Sequence, residues 1–95
     1  MFLSIVSGCS FFDEDKNKTL KLNNSLNREI ISNFSKAIKR EPDNYLFYFE
    51  RGIAKHNYGD YVGAIEDFNY SLKLNSNLKV VFHRANSKYT YGDHK

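Results

Sequence analysis

The chain has 95 residues, with 14 Lys+Arg against 11 Asp+Glu and a net charge of +3, which leaves room for one small domain and excludes a multi-domain enzyme. Hydrophobic residues make up 41% and charged residues 26%, and 8 Phe with 7 Tyr supply the bulk that a disordered segment lacks. A single Cys excludes an internal disulfide, and one Pro with 5 Gly argues against a turn-rich β-sandwich, so stability has to come from helix or sheet packing.

The first nine residues, Met1 to Cys9, carry no charge. The run is far shorter than the roughly 20 apolar residues that cross a bilayer. Its end, Val6-Ser7-Gly8-Cys9, resembles the lipobox of bacterial lipoprotein signal peptides, in which small residues precede a Cys that is lipidated and becomes the mature amino terminus. The resemblance implies lipidation of Cys9 and attachment to the bacterial cell envelope; without processing, the expected location is the cytoplasm. The segment has neither the positively charged start nor the full apolar stretch of a signal peptide, since only Phe2 to Val6 precede the box.

Residues 10 to 22 are polar, and Asp13-Glu14-Asp15-Lys16-Asn17-Lys18 reads as a solvated linker of mixed charge. Residues 1–22 are therefore expected to form an apolar segment and linker, and 23–95 a helical domain. Asp13, Asp15 and Asn17 match the first ligands of a calcium loop. Lys18 replaces the Gly that such a loop needs for its sharp turn, and Asn24 replaces the closing Glu. Calcium is not expected.

From Ser25 onward apolar residues recur at helical spacing. Leu26, Ile30, Ile31, Phe34, Ala37 and Ile38 form one face of a first helix, predicted from about Asn24 to Arg40, where Pro42 stops it. Asp43 or Asn44 is placed to cap a second helix carrying Tyr45, Tyr48, Phe49, Gly52, Ile53 and His56, and Gly59 suits its left-handed end. Asp60 is placed to cap a third helix with Tyr61, Ala64, Ile65, Phe68, Leu72 and Leu74 on its inner side, ending at Asn75-Ser76-Asn77. A fourth begins near Leu78 and carries Val81, Phe82, Ala85 and Tyr89 before Gly92-Asp93.

The helices repeat. Phe49-Glu50-Arg51-Gly52 returns as Phe82-His83-Arg84-Ala85 and Tyr58-Gly59-Asp60 as Tyr91-Gly92-Asp93, both at an offset of 33. Phe34, Ala37 and Ile38 return as Phe68, Ser71 and Leu72 at an offset of 34. The expected fold is all-α: antiparallel helix-turn-helix units stacked as a short α-solenoid of about four helices.

With these residues the chain resembles the tetratricopeptide repeat family, whose pattern of about 34 residues runs Trp-x2-Leu-Gly-x2-Tyr, Ala-x3-Phe, Pro. One full copy spans about Tyr45 to Leu78, with partial copies on either side. Tyr48 stands in the Trp place, Gly52, Ala64 and Phe68 match, and Gly59-Asp60-Tyr61 forms the usual turn. Arg51, Lys55 and Ser76 depart from the Leu, Tyr and Pro of the pattern, while Pro42 falls where the preceding copy's Pro belongs. Tyr48, Gly52, Gly59, Tyr61, Ala64 and Phe68 are thus the repeat-packing set: small residues where two helices cross closely, with aromatic rings filling around them. Arg51 and Asp67 are expected to pair between the helices, with Arg84 reaching the same carboxylate.

The resemblance implies a non-catalytic protein-interaction module that accepts a peptide or helix in a concave groove. The implied groove residues are Leu46, Phe49, Ile53, His56 and Asn57 on the second helix, and Lys79, Phe82, Asn86 and Tyr89 on the fourth. The alternative is a membrane-tethered lipoprotein with a structural or assembly role in the envelope. Arrays of this kind need about three units to bury a continuous core, so open end faces are expected to self-associate or take a partner.

No catalytic chemistry, cofactor or metal site is expected. His56, His83 and His94 never stand four apart, Glu66 and Asp67 are adjacent and point to different sides, and no Gly-rich phosphate loop is present. Lys73, Lys79, Arg84 and Lys88 gather near Tyr89 and Tyr91, but Glu50, Asp60, Glu66 and Asp67 dilute that charge, so nucleic acid is not an expected partner.

Overall fold

The computed structural model describes the backbone of residues 3–93 and the side chains of residues 22–92. It is an all-α helical-repeat fold of four packed helices, with no strand among the described residues. They are α1 (Leu3–Arg40), α2 (Tyr45–Tyr58), α3 (Tyr61–Leu74) and α4 (Leu78–Asp93). Each helix packs on its neighbours in chain order, α1 on α2, α2 on α3 and α3 on α4, with a lighter contact from α2 to α4.

Local chemistry fixes the boundaries. Lys39 and Arg40 occupy the last turn of α1, where positive charge suits the carbonyl end of the helix. Pro42 then disfavours helical backbone in the residue before it. The Asn44 side chain accepts from the Leu46 N–H at the start of α2, and Asp60 accepts from the Gly63 N–H at the start of α3. At the start of α4 Asn77 accepts from the Lys79 N–H, which satisfies a donor that the first turn leaves free. Between α2 and α3 the backbone reverses at Gly59, whose φ of 102° a side chain would strain. The Gly59 and Asp60 N–H groups donate back to the carbonyls of His56 and Lys55, closing the end of α2.

The start of α1 differs from the sequence reading. The helix begins at Leu3 rather than near Asn24, so residues expected as a linker have helical backbone. Their lack of apolar periodicity pointed to a linker, yet no Gly or Pro stands between Gly8 and Pro42 to break a helix. Cys9, the proposed lipidation residue, lies outside the described side chains, and His94 lies outside the described residues altogether.

The core sits where α2, α3 and α4 meet. Phe49, Ala64, Phe68 and Val80 form it, with Ile53 and Leu72 packed against them. Gly52 is small because the Phe68 ring lies over it: a Cβ there would come within 2.6 Å of the ring. Tyr48 is buried beside Tyr70, the ring centres 4.4 Å apart, and its hydroxyl donates to the Pro42 carbonyl at 3.1 Å. Burial, and then Tyr70, holds this phenol above the ordinary tyrosine range. At the α1 side, Phe34 meets Phe47 with ring centres 5.9 Å apart.

Two helices turn differently from the pattern read in sequence. On α4 the buried positions are Val80 and Ser87, with His83 partly covered, whereas Val81, Phe82, Ala85 and Tyr89 are exposed. Leu26 and Ile30 of α1 are exposed too, while Ile31, Phe34, Ala37 and Ile38 are half-buried.

Candidate functional site

Two surfaces collect the side chains singled out in sequence. The first is polar and half-hidden. Arg51 of α2 grips Asp67 of α3 with both Nε and Nη2 at 2.8 Å, and its Nη1 donates to Ser35 Oγ of α1 at 3.0 Å. Lys55 Nζ approaches the same carboxylate at 3.2 Å. One guanidinium therefore ties three helices together through a two-pronged bond of the strong, charge-assisted kind. The Asp67 bond holds Arg51 above its already high ordinary pKa, against the opposing effect of burial. Arg84 does not reach Asp67 as the sequence suggested. It donates instead to Asn69 Oδ1 at 2.9 Å. Ser35 and Asn69 stand at the same place in successive units, Ser35 directly after Phe34 and Asn69 directly after Phe68. Arg51 and Arg84 thus make equivalent bonds to the helix before their own.

A second polar link crosses from α2 to α4. His56 Nδ1 and Ser87 Oγ are hydrogen-bonded at 2.8 Å, and the His56 ring stands edge-on to Tyr61. Burial holds this imidazole below the ordinary histidine range, and His83 adds to the effect. Ser71 likewise offsets its burial by donating to the Tyr45 carbonyl at 3.0 Å. These two buried serines carried no signal of their own in sequence. Ser87 is marked only by standing where the preceding unit has the buried Ala54.

The second surface is open. On α4, Lys79, Phe82, Asn86 and Tyr89 follow one another at helical spacing and are all exposed, Phe82 by 70% and Tyr89 by 72%. On α2, Leu46 is 46% exposed and Asn57 is open. Asn57 borders a cleft of about 490 Å³ with Asn23, Asn24, Leu26, Asn27 and Ile30 of α1.

The other three groove candidates of α2 lie elsewhere. Phe49 is only 6% exposed and belongs to the core, its ring centre 6.0 Å from Phe68 and 5.2 Å from His83. Its place on the helix is covered because α3 and α4 both lie against it. Ile53 packs on that core, and His56 is taken up by Ser87. The repeat-packing residues lie between α2 and α3: Ala64 and Phe68 are fully buried, Tyr48 and Gly52 are buried, Tyr61 is half-buried, and Gly59 makes the turn.

No group of His, Cys, Asp or Glu among the described residues is arranged to hold a metal, and no described helix is long and apolar enough to cross a membrane. No family model matches the chain, and no curated protein matches it.

Proposed function

We propose that the chain is a non-catalytic protein-binding module of the tetratricopeptide-repeat type, which takes a peptide or helix against the open faces of α2 and α4. The observation that carries this reading is the exposed stripe of α4, where two aromatic rings, Phe82 and Tyr89, alternate with Lys79 and Asn86. Exposed rings offer contact area at low entropic cost, and a flanking amide and ammonium orient a peptide backbone or an acidic group. Leu46 and Asn57 extend the surface on α2, while Phe49, Ile53 and His56 support it from beneath.

Peptides selected from a displayed random library on the immobilised full-length chain test the reading. Asn86→Ala with Lys79→Glu should weaken the selected peptides about tenfold, roughly 1.4 kcal/mol, with helicity unchanged by circular dichroism. Equal binding to wild type and variant would remove the groove.

The second reading, a lipid-anchored envelope protein with an assembly role, is carried by Val6-Ser7-Gly8-Cys9 alone. Intact mass of the native protein from its host's membrane fraction decides it. A species beginning at Cys9 with added acyl mass supports the anchor, each buried CH₂ contributing about 0.8 kcal/mol. An unmodified full-length mass rejects it.

A further inference from the structure

The seam where α4 meets α2 and α3 holds two imidazoles. On the α4 side Val80 and Ser87 are fully buried. Half-buried His83 stands between them in the chain, its ring centre 5.2 Å from Phe49 of α2 and 6.0 Å from Phe68 of α3. On the α2 side His56 is hydrogen-bonded to Ser87 at 2.8 Å. The groups around His56 are Ser87 and His83 from α4, Tyr61 from α3, which meets the ring edge-on at 5.0 Å, and Lys55 beside it on α2. The acids of α3 are engaged elsewhere or open to solvent: Asp67 is held by Arg51 and Lys55, Asp60 accepts from the Gly63 N–H, and Glu66 is exposed. Neither ring has an ion pair among the described residues.

We propose that this seam is a pH-gated joint: in a mildly acidic medium, protonation of His56 releases α4 from the helix pair of α2 and α3 and uncovers the parts of the Phe49 and Phe68 rings that α4 hides. A neutral ring suits the site, because Nδ1 then either accepts from the buried Ser87 hydroxyl or donates to it. A charged ring can only donate there, and its charge lies in the seam opposite a second imidazole with nothing negative paired to it. Burial, and then His83, hold the affinity of His56 for a proton down while the seam is closed. Once the seam opens, the ring is solvated and its ordinary affinity returns, with a midpoint near pH 6.5. The open state therefore takes up a proton that the closed state refuses. Between the two midpoints, each fall of one pH unit raises the ratio of open to closed by up to about tenfold. The crossing of α2 and α3 is spared, since it rests on Gly52 under Phe68 and on Arg51 with Asp67. The seam is formed by the inner face of α4 and does not depend on what lies against its outer face. The joint needs no ligand and stands apart from the peptide-binding reading.

Native-state hydrogen exchange of the full-length chain, followed by NMR across a pH series and corrected for the intrinsic rate at each pH, tests the joint. Between about pH 6.5 and 5.5 the protection of α4 amides should fall about threefold. Amides in the middle of α2 and α3 should fall in parallel, because global unfolding gains the same proton, yet stay better protected than those of α4 at every pH. His56→Gln, which keeps a hydrogen-bonding group against Ser87, should make the α4 profile flat. Level protection of α4 in the wild-type chain, with or without a fall in α2 and α3, overturns the proposal. So does equal protection of all three helices at every pH, or a fall in α4 that persists in His56→Gln. The first two outcomes need no variant, so the test stands even where the His56→Gln chain fails to fold.

Discussion

Phe49 and Phe82 occupy the same place in two successive units, each followed by Arg at the second position after it, yet one is 6% exposed and the other 70%. The local sequence around the two rings repeats from α2 to α4. What separates them is the next helix. α3 lies over α2 and brings Phe68, Asp67 and Ala64 to it, whereas α4 has α3 and α2 only on its other side. Burial here is decided by the helix that packs on top, not by a residue's position within its own helix.

The comparison breaks most clearly at the close crossing. Gly52→Leu should abolish cooperative thermal unfolding, because the new side chain drives into the Phe68 ring. The equivalent Ala85→Leu, on an open face, should change stability by no more than about 0.5 kcal/mol in urea denaturation. Next in size is the ring itself. Phe49→Ala should cost about 3 to 4 kcal/mol, against about 0.5 kcal/mol or less for Phe82→Ala. A smaller asymmetry separates the two arginines. Asp67→Ala strands Arg51 and Lys55 without their shared carboxylate and should cost about 3 kcal/mol, while Arg84→Met, which removes one exposed bond to Asn69, should cost under about 1 kcal/mol. Similar losses within any of these three pairs of variants would mean that the two helices are equally covered in solution.

The smallest expected effect is a pH dependence. The His56 ring, bonded to Ser87 and edge-on to Tyr61, resists protonation in the folded chain through its burial and, less, through the charge of His83. Below its ordinary value of about 6.5, the unfolded chain binds the proton that the folded one refuses, so stability falls as pH drops through and below that point. It is fully present above it. Urea midpoints from pH 7.5 to 5 should show this decline, and His56→Gln should flatten it. An unchanged slope in the variant would place the sensitive group elsewhere.

Much of the framework was readable from sequence because it depends on local chemistry. Asn44, Asp60 and Gly59 bound their helices through hydrogen bonds and backbone angles set within a few residues. The Gly52 to Phe68 contact and the Arg51 to Asp67 pair were also readable, since a small residue and a charge inside an apolar pattern each demand a partner. Contacts that depend on neighbouring units were not. The burial of Phe49, the link from His56 to Ser87, and the choice of Asn69 over Asp67 by Arg84 follow from the angle at which α4 meets α2 and α3, which no single helix encodes. The start of α1 escaped because residues 10 to 22 carry no apolar stripe at helical spacing, the signal by which the other helices were read.

The turn at Gly59 joins α2 and α3 through only two residues, so the most tightly packed pair of helices is also the pair closest in sequence. Closing so short a loop is fast, and this hairpin is expected to form before α1 or α4 adds to it. In native-state hydrogen exchange, amides in the middle of α2 and α3 should be the last to exchange, with those of α4 released earlier through partial openings. Each such opening exposes part of the Phe49 and Phe68 rings while the hairpin stays intact, so α4 detaches before α2 and α3 part.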